Sequence, residues 1–476
     1  MLIQAIGLAL LGGYILRAAY RLSPWHPLSH IGGPWWTAIS SVWLQYHSWY
    51  GSQGSATRRL HEKYGSIIRV APNEVEIADG AALWPVYIKN GGFDKSHHYS
   101  VLNIDGHATI FSTIENRDRV DRLKIALPFF SSASVERQVP ILEACARQLV
   151  GRLKRDKIRQ APVDLQDHCR CYSLDTTTTY VFGKAFGALD EDRLSIARIV
   201  DSFVEVNQIF NTPGYLYGLF SFFYTSFIIG AEAKQSDVSV DKWIRGAIEG
   251  KSGGSVDDQT TYPGKLLATG MPLSNVVAEG KDSVFGATDA LGLTLSLIIW
   301  RLVEDPAVYT ALREELQTNA EVIGGKLQSL PVLAGIIKET MRISSTVPCK
   351  LPRTTPPEGM VFEDTFIPGG SVIGVASCIL HLNEKVFPEP GAFIPQRWRD
   401  PTTSMNRDWM PFGKGSRACM GRHLALMQLY VAVSVIVRDG VLEGAVNVKP
   451  AIEFWEWYNV QVVGGKIEIE WPKTRA

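Results

Sequence analysis

No CxxC pair and no His-rich zinc spacing occurs in the 476 residues, which argues against a cysteine-based zinc module or a thioredoxin-type motif. Cysteine itself is scarce, with six at 145, 169, 171, 349, 378 and 419. They are too scattered for a disulfide framework, and positions 169 and 171 would fall on different faces of a helix. Such usage suits a reducing compartment, with most of the six as inert core residues. There is no long basic run, and 48 Lys+Arg balance 48 Asp+Glu. That argues against nucleic acid as a partner. No internal repeat is present. Apolar content, by contrast, is high: 46% hydrophobic, with 13 Trp, 16 Tyr and 19 Phe. A chain of this length and composition can bury a large core around an apolar ligand.

Residues 1–16 are apolar apart from Gln4, Gly and Tyr, and Arg17 and Arg21 follow before a break at Ser23-Pro24. The run only just reaches the length of about 20 residues that spans a bilayer. A cleaved signal peptide is the alternative reading. Against it, no basic residue precedes the apolar run, and the Arg pair after it places the bulk of the chain on the cytoplasmic side. Pro24-Trp25-His26-Pro27 and Ile31-Gly32-Gly33-Pro34 then read as a stiff linker. The expected organisation is a transmembrane anchor with the start of the linker over 1–22, and one catalytic domain over 23–476.

Gly65 to Ile77 reads as a hairpin turning at Pro72-Asn73. Residues 115–230 are mainly helical in pattern. Thr212–Gly230 is unusually aromatic, either core or a second membrane-touching surface. Gly250–Gly264 reads as a loop rich in Gly, Ser and Asp. Asn275–Val303 is the longest helical candidate, ended by Asp305-Pro306, and further helices are expected over Asp305–Asn319 and Leu330–Ile343. Gly359–Ile373 has strand character. Ile452–Trp471 alternates around Gly464-Gly465 and is expected to form a hairpin. The fold class is therefore mainly α with small β-sheets (α+β).

The chemistry concentrates in Phe412-Gly413-Lys414-Gly415-Ser416-Arg417-Ala418-Cys419-Met420-Gly421. Gly413 and Gly415 permit positive φ, so the loop can curl its N–H groups toward one point. Arg422–Val437 is helical in period, which puts Cys419 at a helix N-terminus, where a thiolate is stabilised. The segment resembles the heme-binding loop of the cytochrome P450 family, F-x-x-G-x-R-x-C-x-G, through Phe412, Gly415, Arg417, Cys419 and Gly421, with Gly413 as the common extra glycine. Lys338-Glu339-Thr340-Met341-Arg342 resembles the family's E-x-x-R, and Phe393–Trp398 its P-E-R-F/W element, with Gln396 in place of Glu. These motifs stand in the family's order and cover nearly the whole chain, closest to the microsomal type of fungi.

The resemblance implies a P450 fold, heme b (iron protoporphyrin IX) and Cys419 as ligand to the iron. It implies that Arg417 meets a heme propionate. Arg353 resembles another propionate contact, with a turn residue after Pro352 as its other reading. In the early helix before Phe130-Ser131 the register is off by one, so Arg122 or Lys124 fills the cationic position. Gly286-Ala287-Thr288-Asp289-Ala290-Leu291 resembles the A/G-G-x-D/E-T-T element above the iron. Small residues at Gly286 and Ala287 leave room for oxygen and substrate, and Asp289 matches the acid. The usual threonine, which helps deliver protons, is missing, because Ala290 stands there. Either water or a substrate hydroxyl takes over, or Thr288 or Thr294 substitutes, or the reaction needs no such relay. Phe285, Gly286, Ala290, Val347 and Pro348 are the implied pocket residues.

The implied function is a monooxygenase acting on an apolar small molecule, a fungal secondary metabolite. The implied electron source is NADPH through a membrane-bound cytochrome P450 reductase, docked partly by Lys414, Arg417 and Arg422. The implied location is the endoplasmic reticulum membrane, single-pass, with the catalytic domain cytosolic. Dehydrogenation, oxidative coupling or rearrangement on the same fold is the alternative that Ala290 keeps open. A non-enzymatic heme or lipid carrier is the third.

Overall fold

The computed structural model describes residues 2–190, 210–211, 231–250 and 260–472. The aromatic stretch expected over 212–230 lies outside them. The first helix, α1 (Leu2–Leu22), is continuous and ends at the Ser23-Pro24 break. Its 19-residue apolar stretch Gln4–Leu22 is long enough to cross a membrane, and none of it is buried in the protein. The segment after the helix is packed rather than free. Leu28 and Ile31 are buried against Val75 and Ile77. Gly33 sits so close to the backbone of Arg69 that a side chain there would meet its carbonyl.

The expected hairpin is β1 (Ile67–Ala71) and β2 (Glu74–Ile77), paired antiparallel. The helical region comes next, with α2 (Val120–Phe129), α3 (Val139–Arg159), the short strand β3 (Val163–Asp164) and α4 (Leu165–Phe182). Then come α5 (Ala231–Ile248), α6 (Tyr262–Leu267), α7 (Leu273–Glu304), α8 (Pro306–Thr318) and α9 (Pro331–Ser344). The loop expected over 250–264 is thus cut short. Thr261 caps α6 by accepting from the Gly264 N–H, and Tyr262 is fully buried. Asp305 ends α7 and caps α8, accepting from the amides of Ala307 and Val308. At about 1.5 Å per residue, the 32 residues of α7 run about 48 Å through the body.

The later elements include β4 (Arg353–Thr354), β5 (Met360–Phe362), β6 (Thr365–Ile367) and β7 (Val372–Gly374), then helix α10 (Arg422–Asp439), then β8 (Val446–Asn447), β9 (Phe454–Glu456), β10 (Val460–Val462) and β11 (Glu468–Glu470). The main sheet has the order β1-β2-β7-β4, with β2 and β7 parallel. The tail corrects the expectation. β9 pairs with β10 around Trp457–Asn459, while β11 leaves to pair with β3 and β8. Alternating Ile467, Ile469 and Trp471 are indeed buried. A period of two identifies the buried face but not the partner strand.

Helices α3, α4, α7 and α10 pack together into the largest core. Gly292 lets α4 approach α7 closely, because a Cβ there would lie 2.9 Å from the Cα of Arg170. This bundle and the β1-β2-β7-β4 sheet hold the loop before α10 on one side and the middle of α7 on the other.

Candidate active site

The loop between Met410 and Gly421 is wound by short-range bonds. Gly413 N–H donates to Met410 O (2.9 Å), Ala418 N–H to Gly415 O (3.1 Å), and Cys419 N–H to Phe412 O (2.8 Å). Gly413 and Gly415 have φ of 67° and 73°, the left-handed region that favours glycine. Gly415 is doubly constrained, since a Cβ would fall 1.7 Å from the carbonyl of Tyr87. Phe412 packs edge-on to Trp409. Five of the six cysteines are buried, and Cys419 is the accessible one, two residues before the Gly421 cap of α10. Surrounding protein nevertheless raises its thiol pKa, against the lowering effects of the Gly421 amide and Arg422. The sulfur is thus reachable at the surface of its loop yet poorly solvated. A metal cation is what would displace its proton there.

Four cations converge beside this loop. Arg417 donates to the carbonyls of Thr113 and Ile114 (both 2.7 Å) and to Asn116 Oδ1 (2.6 Å). Arg119 donates to Ile110 O (3.0 Å) and Ser416 O (2.8 Å). Arg353, on β4, donates to its neighbour Pro352 O and lies over the rings of Tyr87 and Tyr99. Lys95 donates to Phe111 O (2.6 Å). All the direct acceptors are neutral oxygens, and among the described residues none of the four forms a salt bridge. Burial, then Arg119 and Arg353, pull the Arg417 pKa down to about 10. Burial, then Arg353, Arg417 and Arg119, hold the Lys95 ammonium well below its ordinary value. Like charges gathered in a desolvated place are stable when an anion sits among them. The two carboxylates of a heme fit this place, and the lone accessible thiol fits its iron.

The third wall is α7. Most of its apolar stretch is buried, yet Asp282, Ser283, Gly286, Ala287 and Ala290 keep accessible surface. At about 100° per residue these five share one arc of the helix. The accessible arc is therefore lined by small residues at the level of Gly286 and Ala290. Thr288 points away from it: its hydroxyl donates to Val284 O (2.7 Å) and it is 1% exposed. Thr294 donates to Ala290 O (2.7 Å) and is buried. Asp289 lies at the margin of the arc, but both its oxygens are committed. Oδ1 accepts from Arg170 (2.6 Å) and Oδ2 from Gln461 (2.8 Å). Asp289 therefore ties α7 to α4 and β10, and neither it nor Thr288 turns a free polar group toward the arc.

Lys124 is exposed, pairs with Asp121 at 2.8 Å, and lines an outer groove. Arg122 is turned inward to Glu279. The cation that joins Arg353 and Arg417 is Arg119, just before α2, where a short turn preceding the helix swings its side chain inward. Lys95 and Asp282 had no motif to announce them. Phe285 is buried in the helical core rather than on the accessible arc. Behind the loop, Glu339 is fully buried and accepts from Arg342 (2.8 and 2.9 Å), Arg397 (3.0 Å), Trp398 Nε1 (2.9 Å) and the Ile394 amide (3.1 Å). Glu339, Arg342 and Arg397 of the two motifs thus form one buried network.

A helix-rich body with small sheets, a glycine-wound loop presenting one cysteine, and a cation cluster opposite a small-residue helix arc together define a heme-thiolate oxidoreductase fold. The Cytochrome P450 family model matches residues 31–443, and the chain belongs to that family. It is similar to Cytochrome P450 monooxygenase mfmF of Annulohypoxylon moriforme, at 29% identity over 94% of this chain and 95% of that protein. Conidiogenone synthase PchP450 of Penicillium rubens is 28% identical, over 88% of each chain. N-acetyltryptophan 6-hydroxylase ivoC of Emericella nidulans is 26% identical, over 87% of this chain and 85% of that protein.

Proposed function

We propose that this chain is a heme b-dependent monooxygenase of fungal secondary metabolism, oxidising an apolar small molecule with electrons from NADPH through a cytochrome P450 reductase. The observation that carries it is the accessible Cys419 thiol two residues after Arg417, which clusters with Arg119, Arg353 and Lys95, the last of them acting on Asp282 of the α7 arc. Bound there, the heme supplies dioxygen activation, with a thiolate ligand that favours O–O cleavage. Cys419 would hold the iron, and the Gly421 amide would temper the sulfur's charge. Arg119, Arg353, Arg417 and Lys95 hold the two carboxylates and fix the orientation of the ring. Gly286 and Ala290 leave space for the substrate, and the aromatic cluster of Tyr99, Phe111, Phe210 and Tyr458 gives it an apolar wall. No hydroxyl is presented from position 290, so proton delivery falls to ordered water or to the substrate's own hydroxyl. Helix α1 anchors the body to the endoplasmic reticulum membrane on its cytosolic side, in keeping with Arg17 and Arg21 after the apolar run.

The test is spectral. Reduced protein under carbon monoxide should show the strongly red-shifted Soret band of thiolate ligation, and Cys419→Ala should lose it. Retention of that band by the variant would overturn the assignment. The bare Ala290 position favours a second reading, oxidation without oxygen insertion. Labelled dioxygen separates the two, because a monooxygenase product carries one labelled atom and the alternative carries none.

A further inference from the structure

A groove of about 680 Å³ lies on the outside of the helical body, and it shares no residue with the cysteine loop, the cation cluster or the accessible arc of α7. Small-molecule sites have volumes of about 300–1,000 Å³. The floor of the groove is apolar. Phe129, the last residue of α2, packs on Tyr180 and Tyr262 with ring centroids 5.0 and 5.5 Å away, and Pro128 beside it is exposed. The Tyr180 hydroxyl is spent on Phe129 O. Burial pushes its pKa up to about 12, outweighing the Arg137 charge at the rim, so the floor itself is uncharged. The rim is cationic. Lys124 comes from α2, Arg137 stands two residues before α3, and Lys265 comes from α6. Among the described residues that line the groove none is acidic. Lys124 is already paired, with Asp121 at 2.8 Å. Arg137 is exposed and gives an N–H to Ser134 Oγ (3.0 Å), and Lys265 is half-buried. Among the described residues neither of these two forms a salt bridge.

We propose that this groove is a second ligand site, for an amphipathic organic anion. The aromatic or long aliphatic body lies on Phe129 and Pro128, and its carboxylate is held by Arg137 and Lys265 with Lys124 at the margin. Each half of the groove is weak without the other. An inorganic anion gains little from solvent-exposed cations, and a neutral apolar molecule leaves those cations unused. A ligand with both parts buries apolar surface on the floor and places its charge at the rim. The Arg137 fork suits a planar carboxylate. An acidic protein surface is the competing occupant. The recessed aromatic floor decides against it, because charged residues on a flat face would leave Phe129 uncovered or be desolvated against it. The proposal goes beyond the heme reading and does not depend on it, since the two places have no residue in common.

The test is photoaffinity labelling of the full-length holoenzyme with 4-benzoylbenzoate, whose aryl ketone inserts into nearby C–H bonds on irradiation and whose carboxylate supplies the charge. Peptide mass spectrometry locates the adduct, which is expected within residues 124–138. Decanoate should compete with the probe, and decanol and decylammonium should not. Arg137→Gln combined with Lys265→Gln should cut the adduct about tenfold at a fixed probe concentration, with an unchanged Tm. Lys326→Gln, at an exposed lysine elsewhere, should leave the adduct as it is. Labelling spread over the surface, equal competition by decylammonium, or an undiminished adduct in the double variant overturns the proposal. So does a double variant that keeps the adduct but binds an acidic reductase more weakly, which would give these cations to protein docking. The competition arm uses the wild-type chain, so it decides the matter even where the double variant folds poorly.

Discussion

Arg119 and Lys124 stand five residues apart, and only the first reaches the cation cluster. Arg119 is buried, with its guanidinium bonded to Ser416 O in the cysteine loop. Lys124 is exposed and pairs with Asp121, a surface interaction that solvent screens. Arg119→Leu should therefore cut the heme retained after purification several-fold, measured as the ratio of Soret to protein absorbance. Lys124→Leu should leave that ratio unchanged, and the reverse pattern would put the propionate contact back on Lys124. This contrast also marks where the sequence stopped being legible. Cys419, Arg417 and the two glycines sit in one ten-residue segment, so their joint placement follows from local chain geometry. Lys95, Arg119 and Asp282 come from three separate segments, an isolated β-bridge, a short turn and the long helix, and which way each side chain faces depends on how those segments pack. No spacing within one segment carries that information. Ala290 is the opposite case, since the missing hydroxyl was plain in the sequence and the structure adds that neither Thr288 nor Thr294 turns toward the gap.

At the scale of elements, two buried groups tie α9 to residues 394–410, the segment that leads into the cysteine loop. Glu339 gathers five donors, and removing it strands the fully buried Arg342. Breaking a buried pair costs about 3–5 kcal/mol, so Glu339→Ala should fail to accumulate as a heme-loaded protein, while Lys338→Ala should accumulate normally. His381 is the second tie. Its Nε2 accepts from the Met410 amide at 2.9 Å, at the root of the loop, and Nδ1 lies 3.1 Å from Arg342 O. Burial and the nearby Arg342 charge lower its pKa to about 3. A histidine depressed on folding contributes stability above its unfolded pKa of about 6.5, and loses it as pH falls toward the folded value. Urea unfolding of the wild type should therefore weaken between about pH 6.5 and 4, by up to about 1.4 kcal/mol per pH unit from this group alone. His381→Gln should flatten that slope, and an unchanged slope would sink the assignment. The elements themselves were largely readable, because α7, α8, α9 and the β1–β2 hairpin each have strong periodicity and clear end signals. The tail was not, since β11 takes its partners from residues 163–164 and 446–447, a choice made by the fold as a whole.

For the whole molecule, the question is how the body meets a membrane. Helix α1 buries none of its apolar stretch in the protein, so the body does not depend on it for its core. The contacts that do join the two regions start at Arg21, whose carbonyl accepts from Arg69 at 3.1 Å. Beyond the helix, Trp25, Trp35, Trp36, Val42, Tyr46 and Tyr50 are all more than 40% exposed. Exposed tryptophan and tyrosine beside an apolar helix are the amphipathic residues that settle at a bilayer's headgroup level. With α1 as the proposed anchor, this arrangement predicts two separable contacts with a membrane. Deleting residues 2–16, which keeps Arg17 to Leu22, should leave the carbon monoxide spectrum intact and make the protein extractable by alkaline carbonate, whereas the full chain resists extraction. The truncated form should still float partly with vesicles at high salt, because the remaining contact is apolar. Adding Trp35→Ser and Trp36→Ser should abolish that flotation. Full-length protein that carbonate releases, or whose mature N-terminus begins beyond residue 16, would show that α1 is not an anchor. Flotation unaffected by the tryptophan changes would remove the second contact and leave the first standing.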